Sequence, residues 1–394
     1  MAVTSTRDRM KDLTPSFYEF FAGGGMARAG LGQGWECLFA NDFDEKKGAT
    51  YQANWGTDDL HIGDVAKIST SDLPSQADLA WASFPCQDLS LAGSGAGLEG
   101  ERSGTFWHFW DLMRKLGKEE RAPRLIVLEN VCGTLTSHGG KDFAAISSSL
   151  TGAGYRFGAV VIDAVHFLPQ SRPRLFIIGV RGGNSVPKKL TETKPTRPWH
   201  TDALIQAHET LSARAKAKWI WWRLPQPAPR QQNFVDIIEE KPKGVTWHMP
   251  TETKRLLAMM STVNLAKVKA AQQSGRRMVG GVYRRTRLNE AGEKVQRAEV
   301  RFDDIAGCLR TPVGGSSRQS ILVVDGAKIR SRLLSPREAA RLMGLAETYI
   351  LPPNYNDAYH VAGDGLAVPV VRFLAEHILE PALMVAEELM LEVA

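Results

Sequence analysis

The sequence predicts an α/β fold on a doubly wound, mostly parallel sheet, and three observations predict it. Over the first 180 residues, short apolar runs of strand length alternate with helical or glycine-rich stretches. A glycine-rich turn follows the first run, and carboxylates or a reactive side chain close several of those after it. The charge is also segregated: between positions 182 and 310 there are 24 Lys/Arg against 12 Asp/Glu, a net of +12 in a chain of net +6. A mildly acidic body carrying a basic insert suggests a smaller, polyanion-binding domain attached to a catalytic one.

The candidate strands are 17–21, 35–40, 79–84, 125–129, 159–165 and 175–180. Between them, 104–116 carries Phe106, Phe109, Trp110, Met113 and Leu116, the spacing of one helical face. The connection 166–173 between the last two strands is too short for a crossover helix and predicts an antiparallel pair. Residues 182–250 are rich in Pro, Lys, Arg and Trp with little periodicity. One helix is expected over 251–271, basic strands over 276–301, and a helix over 335–344 opened by Ser-Pro. The apolar segment 366–393 reads as helical and core-facing.

At 394 residues the chain can bury two sizeable cores, and 43% hydrophobic with 23% charged residues is ordinary globular composition. The first fifteen residues lack the apolar run of a signal peptide, and no later apolar stretch is long enough to predict a membrane span. Four cysteines, at 37, 86, 132 and 308, form no CxxC pair and no His/Cys cluster. No zinc site and no disulfide scaffold is expected, which fits a reducing cytoplasm.

The chemistry-bearing residues fall at strand ends. Phe20-Phe21-Ala22-Gly23-Gly24-Gly25 follows the first strand, where glycines let the backbone turn sharply against a ligand. The next strand ends in Asn41-Asp42-Phe43; an acid there suits a ribose diol, and Phe43 suits stacking on an adenine. Gly63-Asp64-Val65 closes a third βα unit, and Asp64 suits an adenine amino group. Each feature alone is structural as often as functional; three in order point to an adenosyl cofactor.

Phe84-Pro85-Cys86-Gln87 closes a strong strand. A cysteine is more often a small buried hydrophobe than a nucleophile. Here, however, the next stretch holds Gly93, Gly95, Gly97, Gly100 and Gly104, a composition suited to a closing loop. The apolar run 125–128 ends in Glu129, where desolvation should raise the carboxyl's pKa and let it donate to a ring nitrogen. Gln170-Ser171-Arg172-Pro173-Arg174 supplies two arginines to fix a base carbonyl or phosphate, or to hold Glu129. Taken alone, Glu129 and Arg174 would more often be a structural ion pair.

Together these residues resemble the DNA cytosine-5 methyltransferases of bacterial or phage type. FAGGG resembles that family's cofactor loop, FPCQ its catalytic loop, ENV its glutamate motif and QSRPR its QxRxR motif. RLLSPREAARLMG at 332–344 and GDGLAVPV at 363–370 resemble its last motifs, in the family's order. Glu19 stands where Asp is usual, Met26 where Gly is common, and Asp364 where Asn is frequent.

The resemblance implies a Rossmann-like S-adenosylmethionine-dependent domain, 1–183 plus 355–394, and a target-recognition domain, 184–354. Cys86, Glu129, Arg172 and Arg174 would be catalytic; Phe21, Ala22, Gly23, Gly25, Asp42, Phe43, Asp64, Pro85 and Asp364 would bind cofactor. It further implies methylation at cytosine C5 of a specific duplex DNA sequence, with base flipping and a covalent Cys86–C6 adduct. A metal-free, monomeric, cytoplasmic and nucleoid-associated enzyme is expected, acting as the modification half of a restriction–modification system beside a separate endonuclease. An RNA cytosine-5 methyltransferase is the nearest rival, but the long basic insert favours duplex DNA and the Cys-Phe-Thr tripeptide of those enzymes is absent. An amino-methylating enzyme would have an Asn/Asp/Ser-Pro-Pro-aromatic tetrapeptide instead of FPCQ. The third rival is a non-catalytic DNA-binding relative or a Rossmann oxidoreductase; an inactive relative would be expected to lose Cys86 or Glu129, and both are present.

Overall fold

A computed structural model describes residues 14–85, 98, 104–182, 186–288, 292–310 and 318–384. By internal packing the chain divides into two compact units. The first comprises 1–162, 173–226 and 370–394, and the second 163–172 and 227–369. The boundaries differ from those expected from charge and motif: 184–226 belongs with the first unit and 355–369 with the second.

The first unit is built on seven strands. They are β1 (Ser16–Phe20), β2 (Glu36–Asp42), β3 (Leu60–Ile62), β4 (Leu79–Ala82), β5 (Leu125–Asn130), β6 (Tyr155–Asp163) and β7 (Pro173–Arg181), in the order β3-β2-β1-β4-β5-β7-β6. β1 to β5 are parallel, and β7 runs antiparallel to β5. The short β6–β7 connection joins neighbours in the sheet, as its length requires. β5 is buried along its whole length, as expected of a strand covered on both faces. The helix Thr105–Lys118 buries Phe106, Phe109, Trp110, Met113 and Leu116, the face its spacing predicts. Phe109 meets Phe20 of β1 edge-on, ring centroids 5.0 Å apart, and each such buried side chain contributes on the order of 1.5–3 kcal/mol. A short pair, β8 (Thr191–Glu192) and β9 (Trp221–Trp222), belongs to the same unit.

The second unit carries an antiparallel sheet of β10 (Met278–Leu288), β11 (Lys294–Arg301), β12 (Ser320–Asp325) and β13 (Lys328–Leu333), in the order β11-β10-β12-β13. Leu256, Met260, Val268 and Ala271 pack on Val282, Val300, Leu322 and Val324 to form its core. The single helix expected over 251–271 is two helices, Pro250–Ala258 and Thr262–Gln273. Ser261 takes an extended conformation at the N-cap of the second, and the Met259 carbonyl accepts the amide of Ala298 on β11 instead of continuing the helix. Tertiary pairing here overrides a sequence otherwise permissive for helix.

The RLLSPREAARLMG segment folds as a buried lock. Arg332 and Glu338 are fully buried and joined by two hydrogen bonds of 2.7 and 2.6 Å. Glu338 also accepts the amides of Ser335 and Glu239, while Ser335 caps the helix Pro336–Leu342. Arg332 lies over the Trp247 ring, 4.7 Å from its centroid. Removing one partner of such a pair strands a buried charge, so Glu338→Gln should cost about 3–5 kcal/mol in urea unfolding. A midpoint equal to that of wild type would show that the pair is not what holds this segment.

Candidate active site

The described site residues that the sequence predicts in the first unit lie at the carboxyl edge of the parallel strands. There the loops after β1 and β4 leave the sheet where the winding direction reverses, the position at which open α/β sheets bind ligands.

The loop after β1 is strained and glycine-dependent. Phe21 adopts φ 59°, a left-handed conformation uncommon for a bulky residue, as do Gly23 (φ 57°) and Gly25 (φ 78°). A Cβ on Gly25 would stand 2.3 Å from Trp55 Nε1, so no other residue fits; one on Gly23 would meet nothing within 4 Å. Buried Ala22 donates its amide to the Asn41 carbonyl on β2. The cradle therefore opens on the Gly23 side.

Asp42 fixes this loop. One carboxylate oxygen accepts the Gly23 amide at 2.7 Å and the other the Asp44 amide at 2.8 Å. Burial pushes its carboxyl up from the ordinary value, against the opposing charge of Lys47 and the two amides. Phe43, next in sequence, leaves 78% of its surface exposed, a flat apolar platform at a strand end. Asn41 is buried and donates to the carbonyls of His61 and Gly63, setting the loop that carries Asp64. Asp64 Oδ1 accepts the Ala66 amide.

Glu19 on β1 is 2% exposed, and its Oε2 has no hydrogen-bond partner. Burial raises its carboxyl from the usual 4.5 to about 8, despite Arg28 and the backbone amides of Arg28 and Ala27. Cys37 nearby is buried, and its thiol is pushed up to about 12, first by burial and then by the charge of Glu19.

At the next strand ends, Glu129 is buried and meets Arg174 of β7, Oε1 to Nε 3.2 Å. Asn130, also buried, donates to the Phe84 carbonyl at 3.1 Å and accepts the Val131 amide. It thereby ties the end of β5 to the segment running through Pro85 into Cys86. Cys86 itself, and the glycine-rich stretch after it apart from Leu98 and Gly104, lie outside the described residues.

Arg172 and Arg174 do different work. Arg174 pairs with Glu129, whereas Arg172 is buried in the second unit. Its guanidinium donates to the carbonyls of Gly363 at 2.8 Å, Gly365 at 2.7 Å and Leu309 at 3.3 Å. Asp364 ends the helix Tyr355–Asp364 between those two glycines. Sequence reasoning missed the part of Asn130, although its place beside Glu129 at the end of an apolar strand was a usable signal. Among the described residues no group of three or more His, Cys, Asp or Glu could hold a metal ion, and no helix is long and apolar enough to cross a membrane.

Comparison with known proteins agrees with this geometry. The model of the C-5 cytosine-specific DNA methylases matches residues 16–380. Similar proteins include the Type II methyltransferase M.HpaII of Haemophilus parainfluenzae, 27% identical over 93% of this chain and 89% of that protein. Another is M.HhaI of Haemophilus parahaemolyticus, 23% identical over 92% and 93%. Among solved structures, the Dnmt2 methyltransferase of S. pombe aligns with a TM-score of 0.57 at 16% identity, covering 93% of this chain and 99% of that one. A putative DNA modification methyltransferase encoded within an E. coli prophage aligns at 0.53 and 15% identity, covering 92% and 98%. The fold is that of the Rossmann-like methyltransferases. The chain belongs to the C-5 cytosine-specific DNA methylase family. It is a DNA cytosine-5 methyltransferase and acts on DNA with S-adenosylmethionine as methyl donor.

The raised acid of Glu19 gives a signed prediction. Below 4.5 the carboxyl is neutral in both folded and unfolded chains; from there to about 8 only the unfolded chain releases the proton. Stability should therefore fall through that window and level off above it. In chemical denaturation across pH, Glu19→Gln should lose this component of the slope. Parallel wild-type and variant curves would show that Glu19 titrates normally.

Proposed function

We propose that this enzyme methylates one specific duplex DNA sequence by covalent catalysis through Cys86, with Glu129 engaging the flipped cytosine at N3 and Arg174 holding Glu129. The observation that carries this reading is the buried Glu129–Arg174 pair at the end of β5, beside an Asn130 tied to the Phe84 carbonyl two residues ahead of Cys86. Cys37 supports it by contrast, since a thiol pushed up to about 12 is protonated at neutral pH and a poor nucleophile.

Cytosine C5 is a weak nucleophile until C6 is attacked. The Cys86 thiolate forms an S–C6 bond, and Glu129 at N3 stabilises the electron density that makes C5 enamine-like. C5 would then be able to take up the methyl group that bound S-adenosylmethionine would supply, the donor's sulfur keeping the electron pair. Loss of the C5 proton and expulsion of the Cys86 thiolate restore the aromatic ring. Extruding the base costs a few kcal/mol of stacking and pairing. Bound S-adenosylmethionine supplies the electrophilic methyl group. Phe21, Ala22, Gly23 and Gly25 would line its site and Asp42 orders the loop. Phe43 offers an aromatic face to its adenine, with Asp64 and Pro85 beside it. Arg172 acts by holding the turn that contains Asp364.

The part of the second unit from 227 to 354, rich in Lys and Arg over 227–310, serves as the target-recognition domain. The relatives named Type II methyltransferases support a role as the modification half of a restriction–modification system, any cognate endonuclease acting separately. In this reading the enzyme works as a metal-free monomer in the cytoplasm, on the nucleoid.

A duplex carrying 5-fluorocytosine at the target should trap the enzyme after methyl transfer, because fluorine cannot leave as the C5 proton does. The adduct should survive denaturation, require S-adenosylmethionine and map to the Cys86 peptide. Cys86→Ser should abolish it and lower turnover by several orders of magnitude, whereas serine variants at Cys37, Cys132 and Cys308 should still form it. Full activity in Cys86→Ser would sink the covalent route.

A further inference from the structure

The second unit's sheet extends into a two-stranded arm. β10 pairs with β12 only from Met278 to Val282, while its pairing with β11 runs from Gly281 to Leu288. Beyond the Arg284–Ala298 pair, where Ala298 bonds to the Met259 carbonyl, the ribbon has no third strand among the described residues. Arg284, Arg285, Thr286, Arg287 and Leu288 are exposed, as are Lys294, Gln296 and Arg297 across from them.

Its two faces differ. Residues directly opposite share a face, which sets Tyr283 with Glu299, Arg285 with Arg297 and Arg287 with Val295. On that face Glu299 accepts Arg287 through Nε at 3.1 Å and Nη2 at 2.7 Å, and it pairs with Arg285 Nε at 3.4 Å. The Arg285 guanidinium also lies over the Tyr283 ring, 5.9 Å from its centroid. Arg297 stands opposite Arg285, a like-charge pairing that weakens a sheet, and has no carboxylate partner among the described residues. On the other face Gln296 donates to Thr286 at 2.9 Å. Strand segments 284–288 and 294–299 thus carry five cations against one carboxylate, the half-buried Glu299, with the exposed Glu293 just ahead of Lys294.

We propose that this arm enters the major groove and reads guanines, with the face bearing Arg285, Arg287 and Arg297 turned to the base edges. The inference rests on the DNA reading above and names the element that delivers its specificity. The major groove, about 12 Å wide, admits a two-stranded ribbon, and guanine presents O6 and N7 to a bidentate guanidinium. A phosphate clamp would need only point charge, which Lys supplies, and a carboxylate in its midst would repel the backbone. This face carries arginines and no lysine, and Glu299 fixes two of the forks in position. The Arg285–Arg297 repulsion is relieved when guanine acceptors lie between the two guanidiniums and the groove's negative potential surrounds them.

The test uses the full chain, S-adenosylmethionine and a duplex library randomised around cytosines, read by 5-methylcytosine sequencing. Arg285→Ala and Arg297→Ala should each lower discrimination at one guanine position by roughly ten- to a hundredfold, leaving other positions as in wild type. Glu299→Gln should blur the same positions, and Lys269→Ala, on an exposed helical position off the arm, should not. Melting temperature and S-adenosylmethionine affinity should match wild type in every variant. Unchanged sequence preference, with affinity for all duplexes lowered equally and the salt slope reduced by about one unit, would make these residues phosphate contacts and overturn the proposal. Unchanged preference and affinity would overturn it as well. Failure of the wild-type chain to produce 5-methylcytosine in any sequence would instead overturn the DNA reading beneath it, and the proposal with it.

Discussion

Two backbone amides, from loops that leave neighbouring strands, converge on the single carboxylate of Asp42. Gly23 belongs to the turn after β1 and Asp44 to the turn after β2, and both donate to it within 2.8 Å. Charge-assisted hydrogen bonds of this kind are about twice as strong as neutral ones, and here they offset part of the cost of burying the acid. Phe21 can remain in its left-handed conformation because the neighbouring contacts over-determine it. Trp55 adds a second restraint, donating to the Gly24 carbonyl at 3.1 Å while leaving Gly25 no room for a side chain. The cradle is thus preorganised by protein contacts alone, and Phe43 is left exposed as a platform.

The same construction recurs two strands along. Glu129 and Asn130 sit side by side at the end of β5 and point to opposite faces, as strand geometry demands. One engages Arg174 and the other the Phe84 carbonyl, so a single strand end orders both the acid and the segment leading into the FPCQ motif. At both places short polar bridges tie backbone segments whose positions the sheet already sets.

Much of this was legible in the sequence because its signals are local. Apolar runs bounded by glycine or charge mark β1, β2, β4 and β5, and the 3.6-residue spacing from Phe106 to Leu116 marks its helix. The hairpin β12–β13 escaped reading although Asp325-Gly326 between an apolar run and KIRSRL is a turn signal. The break at Ser261 was not visible in propensity, since it depends on β11 drawing the Met259 carbonyl out of the helix. Arg172 and Arg174 read alike two residues apart, yet one holds glycine carbonyls in the second unit and the other a carboxylate in the first. Net charge did not mark the unit boundary either: 184–226 is basic but packs with the sheet of the first unit, because Trp199, Trp222 and Leu204 are core residues.

In the proposed mechanism Asp42 orders the turn that receives the cofactor. Isothermal titration of S-adenosylmethionine into wild type and Asp42→Ala tests it most directly. Freeing the Gly23 turn should weaken binding by roughly tenfold or more, since about 1.4 kcal/mol of lost preorganisation is a factor of ten in affinity. Bare DNA binding should stay close to wild type, while the melting temperature falls because the Gly23 and Asp44 amides lose their buried partner. Equal S-adenosylmethionine affinity in the two proteins would contradict the assignment.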